Sequence, residues 1–266
     1  MTVLDDIVAG VREDLEARRR EVGLDEMIAR ARDAAPVRGF DLDADFSVIA
    51  EVKRRSPSRG DLAPIAEPGR LAGLYAAGGA KAISVLTESR RFSGSLADFD
   101  EVRAAVDVPL LRKDFMVDEY QFYEARAHGA DLVLLIVAAL EPAQLRDYLD
   151  LSRELGMTAL VETHDTYELE IAAGLDARLI GINTRNLKDL SVDTNRFAPL
   201  AELAPTGCTL VAESGVSGLV EVETYAAAGA HAVLVGEALV KDGDPETAVA
   251  RYTATGARIR TAATAR

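Results

Sequence analysis

Apolar residues recur along this chain at two periods, and the alternation between them organises the sequence. Over the first forty or so positions the period is helical: Val3, Leu4, Ile7, Val8, Val11 and Leu15 fall on one face, and the run Arg18, Arg19, Arg20 lies beyond it. A second short helix is predicted over 24–34, ending before Pro36. After that, short continuous apolar runs alternate with helical segments. The runs predict strands at about 47–52, 82–87, 109–112, 132–137, 158–161, 179–182, 209–212 and 232–235.

Several helix-to-strand joints are near copies. Ala-Ala-Gly-Gly-Ala precedes Lys81, Ala-His-Gly-Ala precedes Asp131, Ala-Ala-Gly-Leu precedes Asp176 and Ala-Ala-Gly-Ala precedes His231. Each reads as a helix stopped by a glycine in the left-handed conformation, followed by a turn into a buried strand. Eight copies of a βα unit predict an α/β fold, the (β/α)8 TIM barrel, as one domain over 1–266 with 1–40 as a helical N-terminal extension packed on it. A doubly wound open sheet is the structural alternative. It would use fewer strands and a glycine-rich turn after the first, which positions 53–58 do not provide.

The composition, 48% hydrophobic and 28% charged, is that of a globular protein with a sizeable core and excludes a disordered or collagen-like chain. A formal charge of −14 argues against nucleic acid or an anionic membrane as partner. The acidic residues interleaved in the first helix, among them Asp5, Asp6 and Glu13, make it a poor membrane-surface helix, so it is read as covering the barrel. The longest apolar run, 132–140, is too short to span a bilayer. Cys208 is the single cysteine and can form no intramolecular disulfide. With no secretory leader at the start, this points to the cytoplasm, and the cysteine itself reads as a small hydrophobe before a strand.

In a barrel the C-terminal ends of the strands share one mouth. Those ends carry Glu51 and Lys53, Glu88, Lys113 with Asp114, the apolar Val137, Glu162, Asn183 with Arg185, Glu213 with Ser214, and Gly236. Glu51 and Lys53, two apart on a strand, emerge on one face. Alone they would be an ordinary surface ion pair, but ionisable residues at the ends of several strands from different parts of the chain point to a catalytic site. Small residues in Glu213-Ser-Gly-Val-Ser and Val235-Gly-Glu-Ala-Leu free backbone N–H groups to hold a phosphate. Lys53, Arg54, Arg55, Ser56, Ser58 and Arg59 add a basic, hydroxyl-bearing loop. The expectation is a cationic mouth that binds a small phosphorylated anion. His164, beside Asp165 at a helix start, reads as a capping or supporting residue, with an acid–base role as the alternative. His128 and His231 fall on the opposite face. No metal-ligand spacing occurs, so neither metal nor cofactor is expected.

These residues resemble the indole-3-glycerol-phosphate synthase family of tryptophan biosynthesis. Ala50-Glu-Val-Lys-Arg-Arg-Ser-Pro-Ser-Arg-Gly is similar to its first-strand signature and Leu111-Arg-Lys-Asp-Phe to its third. Val161-Glu, Ile182-Asn-Thr-Arg-Asn-Leu, Glu213-Ser-Gly and Gly236-Glu-Ala-Leu match the fifth to eighth, in register over 46–240. The first and third signatures are specific, whereas the last two recur across phosphate-binding barrels.

The resemblance implies a carboxy-lyase that closes the ring of 1-(2-carboxyphenylamino)-1-deoxyribulose 5-phosphate with loss of carbon dioxide and water. It implies Lys113 as general acid and Glu162 as general base. Lys53 would face the substrate's carboxylate or phosphate, and Glu51 and Asn183 would position the hydroxyls and lysines. Ser56, Gly215 and Gly236 would contribute to the phosphate cradle, and Phe92, Phe115, Arg185, Leu187, Glu213, Ser214 and Glu237 would complete the substrate site. A useful lysine acid calls for a lowered pKa, which burial or a second lysine would produce. Arg91 departs from the family, which usually has an aromatic or apolar residue there beside Phe92, and it bears on how apolar that wall is. The expected assembly is a monomer or weak homodimer. The rival readings are a phosphoribosylanthranilate isomerase, which would use a Cys and Asp pair, a flavin barrel, and a non-catalytic anion-binding barrel.

Overall fold

A computed structural model of the chain describes residues 2–42, 46–56, 60–61, 67–187, 190–241 and 243–264. Two helices, α1 Val3–Glu21 and α2 Leu24–Asp33, come first. Eight parallel strands follow: β1 Ser47–Val52, β2 Ala82–Leu86, β3 Leu110–Lys113, β4 Leu132–Ile136, β5 Thr158–Thr163, β6 Leu179–Asn183, β7 Thr209–Glu213 and β8 Ala232–Val235. Each pairs with the next, and β8 pairs with β1 to close the barrel. Between successive strands stand α3 Pro68–Ala77, α4 Leu96–Ala105, α5 Glu119–Ala127, α6 Pro142–Glu154, α7 Thr166–Gly174, α8 Phe197–Leu203 and α9 Leu219–Ala227. α10 Glu237–Val240 and α11 Pro245–Thr264 follow β8. The expected (β/α)8 barrel with an N-terminal helical segment is the fold that forms.

The strands are buried on both faces, by side chains inside and helices outside, which is why they appear in the sequence as continuous apolar runs. Three of the four repeated joints behave as expected, with Gly79, Gly129 and Gly229 at φ 88°, 83° and 97°. The third does not. α7 continues through Gly174, and Asp176 takes the left-handed conformation at φ 55°, one that aspartate tolerates better than most residues.

Thr2 and Asp5 form a reciprocal capping box that starts α1. The basic run that ends α1 pairs with acidic groups of α5 and its start. Arg18 Nε meets Glu124 Oε1 at 2.8 Å, and Arg19 Nη1 meets Asp118 Oδ2 at 3.0 Å. On the other side Arg90, from the loop after β2, contacts both Glu13 and Asp14. Leu15, Met27 and Tyr120 form a small separate core where α1, α2 and α5 meet. Among the described residues no helix is long and apolar enough to cross a membrane.

α11 closes the barrel's side at Gly256, against the Phe46 ring, which is 1% exposed. A Cβ at 256 would overlap that ring. Alanine gains roughly 1 kcal/mol of helix propensity over glycine, but forcing atoms into a packed core costs about 1–3 kcal/mol. Gly256→Ala is therefore expected to lower the urea midpoint of unfolding. A raised midpoint would mean that the ring has room to yield.

Candidate active site

Period-two alternation decides which side chains reach the mouth. Glu51, Leu86, Lys113, Ile136, Glu162, Asn183, Glu213 and Leu234, one from each strand, line a single cavity. The ladder sets their level: Leu86 is in register with Lys113, Ile136 with Glu162, and Asn183 with Glu213. Gly181, two before Asn183, makes room for this layer, because a Cβ there would overlap the Glu213 carboxylate.

Lys113 stands at the centre of the floor. Its Nζ lies 3.8 Å from Glu213 Oε2, 3.9 Å from Glu51 Oε2 and 4.0 Å from Glu162 Oε2. Burial alone would lower its pKa, but the charges of Glu213, Glu51 and Glu162 outweigh burial and raise it. This departs from the expected lowering, since three carboxyl neighbours outweigh both burial and the opposing charge of Arg185. Lys53 Nζ donates to Glu51 Oε1 at 2.5 Å. Burial would raise the Glu51 pKa, yet Lys53 and Lys113 hold it below the ordinary value.

Glu162 and Glu213 adjoin each other, and their environments push them apart. Both are buried, which raises a carboxyl pKa. For Glu162 the neighbouring His164 and Lys113 reverse this and take it down to about 2. For Glu213 burial and the Glu162 charge raise it well above the usual range. The two shifts run in opposite directions, so of the pair Glu162 is the one held toward its ionised form and Glu213 the one held toward its neutral form.

The walls are apolar. Phe92 and Phe115 lie with ring centroids 6.3 Å apart, facing Leu187 and Leu190 from the loop after β6. Val3, Leu4 and Ile7 bring the start of α1 over the same cavity. Arg91 is exposed and does not line the cavity, so the wall beside Phe92 stays apolar.

The polar rim is built by its own backbone. Asn183 Oδ1 accepts from Arg185 N at 3.0 Å, and Arg185 Nη1 donates to Leu190 O at 3.0 Å. After β7, Ser214 and Gly215 take left-handed φ values of 65° and 77°, and Tyr225 OH donates to Ser214 O at 3.1 Å. A Cβ on Gly215 would meet Thr194 Cγ2 at 2.6 Å, so only glycine fits. Ser214, Gly215, Gly236 and Glu237 all line the cavity.

Thus fourteen of the fifteen expected site residues gather at one cavity, whereas the side chain of Ser56, with Ser58 and Arg59, lies outside the described residues. Other expectations change. Glu88 accepts from the backbone N–H groups of Arg90, Arg91 and Phe92, and so folds its own loop. Arg54 turns away to a bidentate pair with Asp98, at 2.7 and 2.9 Å. β4 contributes Leu134 and Ile136, because Val137 already begins a 3-10 turn. The mouth is not cationic among the described residues: Lys53, Lys113 and Arg185 face Glu51, Asp114, Glu162, Glu213 and Glu237. The share of α1 in the pocket was not legible, although the unbroken apolar face from Val3 to Ile7 was its available signal.

A closed barrel that gathers a lysine and three buried carboxyl groups under an apolar-walled cavity is the architecture of a barrel enzyme working by proton transfer. A profile of the family described as "Indole-3-glycerol phosphate synthase" matches residues 4–252. The chain is 63% identical over 265 residues to the indole-3-glycerol phosphate synthase of Arthrobacter sp. (strain FB24), covering 97% of each chain, and 59% identical to that of Paenarthrobacter aurescens (strain TC1), again covering 97% of each. The chain therefore belongs to the indole-3-glycerol phosphate synthase family, whose members are carboxy-lyases. A thiamine phosphate pyrophosphorylase from Pyrococcus furiosus shares the fold, with a TM-score of 0.61 at 14% identity, over 82% of this chain and 98% of that one.

Proposed function

We propose that this chain converts 1-(2-carboxyphenylamino)-1-deoxyribulose 5-phosphate into indole-3-glycerol phosphate, carbon dioxide and water. The observation that carries the reading is Lys113. Its ammonium is surrounded by three carboxyl groups at 3.8–4.0 Å and hydrogen-bonded to none of them, so its protons are available to a ligand.

In this reading the ring carbon bearing the carboxylate attacks the ketone carbon, and Lys113 gives a proton to the ketone oxygen, which becomes a hydroxyl. The C–CO2 bond then breaks, its electron pair restores the aromatic ring, and carbon dioxide leaves. The hydroxyl departs as water with a second proton, given by a lysine ammonium of the site. Glu162 takes a proton from the adjacent methylene carbon, whose C–H pair forms the new double bond. Lys53 meets an anionic group of the substrate, while Glu51 and Asn183 position hydroxyls and lysines. The phosphate sits on the turns after β7 and β8 with Ser56, and the aromatic ring lies against Phe92, Phe115 and Leu187. The small phosphorylated anion is thereby held at the rim, away from the carboxylate floor. With α1 closing one wall, 1–266 acts as one unit.

Supplying that substrate to purified protein and following indole absorbance and fluorescence tests the reading. Turnover is expected without added metal or cofactor and after exhaustive chelation, because ammonium and carboxylate groups account for every proton transfer. Activity lost on chelation and restored by a divalent ion would overturn it.

A further inference from the structure

His164 lies two residues beyond Glu162, at the start of the β5–α7 turn. Its ring is wedged between two carboxylates: Nε2 is 3.2 Å from Glu162 Oε1, and Nδ1 is 2.9 Å from Glu168 Oε2. The side chains of Glu162, His164 and Glu168 are 2%, 8% and 14% exposed, so the row runs from the cavity floor toward the surface. Glu168 is itself fixed on the first turn of α7. Its carboxylate accepts from His164 N at 2.8 Å, and its own N–H donates to Asp165 Oδ1 at 2.9 Å. From the 3-10 turn after β6, Arg196 Nη2 donates to His164 O at 2.7 Å.

A buried structural histidine is satisfied as a neutral ring with one donor and one acceptor nitrogen. Here Nδ1 is hydrogen-bonded to one carboxylate, and Nε2, buried and without a hydrogen-bond partner, lies within ion-pair distance of the other, an arrangement that the imidazolium, with two donors, suits better than the neutral ring. We infer that His164 is a positioning residue for Glu162: an imidazolium backed by Glu168, it fixes the Glu162 carboxylate in the floor and determines that Glu162, rather than the adjoining Glu213, stays ionised. Without that cation, Glu162 and Glu213 would compete for one proton under the same ammonium, Lys113.

The charged groups facing the Glu162–His164 pair are Lys113 from β3, Glu213 from β7, Glu51 from β1, Glu168 from α7 and Arg196 from the turn after β6. Burial would lower the His164 pKa, but Glu162 and Glu168 raise it to about 10, in agreement with the geometry.

The inference builds on Glu162 as the base, and the test separates the two. His164→Gln keeps polar atoms near both carboxylates and removes the charge. Removing a cation beside Glu162 raises its pKa, and the base works only when ionised. The acid limb of the kcat/KM profile is therefore expected to move up by about one pH unit or more. Glu168→Gln, which does not touch the cavity, should move the limb the same way by less. A folded His164→Gln whose limb stays in place, with activity reduced equally at every pH, would reduce His164 to packing and overturn the inference.

Nitrogen NMR gives a second reading that does not depend on turnover. The chain has three histidines, and His164→Gln identifies the signals of the one it removes. Both ring nitrogens of His164 should carry protons at about pH 8, where a free imidazole is neutral. A neutral His164 ring there overturns the inference whatever Glu162 does. Activity surviving in Glu162→Gln, with His164 still charged, would instead fault the assignment of the base.

Discussion

Lys113→Met is expected to fold normally and to lose at least about a hundredfold in kcat, the share a positioned acid ordinarily contributes. Methionine keeps the length of the side chain and removes its protons. The turns after β7 and β8, where the substrate's phosphate is proposed to sit, are untouched, so KM should change far less than kcat. One confounding effect can be separated. Taking the ammonium away from Glu51, Glu162 and Glu213 raises their pKa values, so a variant could be slow only because Glu162 has become protonated. Raising the pH would then restore the rate. If Lys113 donates the proton, the loss persists at every pH, and single-turnover measurements place it on the chemical step. A folded Lys113→Met within about tenfold of the parent would remove Lys113 from the acid role and leave Lys53 to fill it.

The raised pKa of Lys113 bears on how such an acid works. An ammonium stabilised by the carboxylates of Glu51 and Glu162, with Glu213 beside them, does not release its proton to an ordinary neutral oxygen. It does so to one that is gaining negative charge, as a ketone oxygen does when its carbon is attacked. The carboxylates thus keep the acid loaded between turnovers, and the transition state itself supplies the acceptor.

Much of this arrangement was legible because each strand is largely a short apolar run, and Glu162, Asn183 and Glu213 are the first polar residues at the ends of theirs, while Lys113 follows Arg112. The observed strands end within two residues of the positions the pattern gives, and that is enough to bring Glu51, Lys113, Glu162, Asn183 and Glu213 to one level. Alternation tells which face a residue takes, but not which distant partner claims it. Arg54 belongs to Asp98, 44 positions away, and Glu88 belongs to the backbone of its own turn. Local glycine chemistry was a good guide at Gly79, Gly129 and Gly229, and failed at Gly174, where one more helical residue fits before Asp176 turns the chain. Among the described residues the mouth is not cationic, for the same reason as Arg54: formal charges along a loop do not say where the side chains go. His164 shows the reverse case, a residue whose neighbours in sequence, Glu162 and Glu168, are also its partners in space.

Gly236→Asp is expected to raise KM on the order of a hundredfold, equivalent to about 3 kcal/mol, by placing a carboxylate where the phosphate is proposed to sit. Gly236→Ala is the control that isolates the steric part. A Cβ at 236 would lie 2.9 Å from Glu51 O, 3.1 Å from Glu51 Cβ and 3.3 Å from Glu51 Oε1, so it presses on β1. Glu51 is hydrogen-bonded to Lys53 and ion-paired with Lys113, so the alanine variant should act mainly through a small fall in kcat as those lysines shift. The aspartate shares that displacement and adds the charge, which should appear as weakened inhibition by inorganic phosphate, least severe at low pH, where the new carboxyl is neutral. If inorganic phosphate inhibits Gly236→Asp as well as it inhibits the parent, the dianion is not held at the turn after β8. The cradle would then have to lie on the side of the mouth formed by the loop after β1.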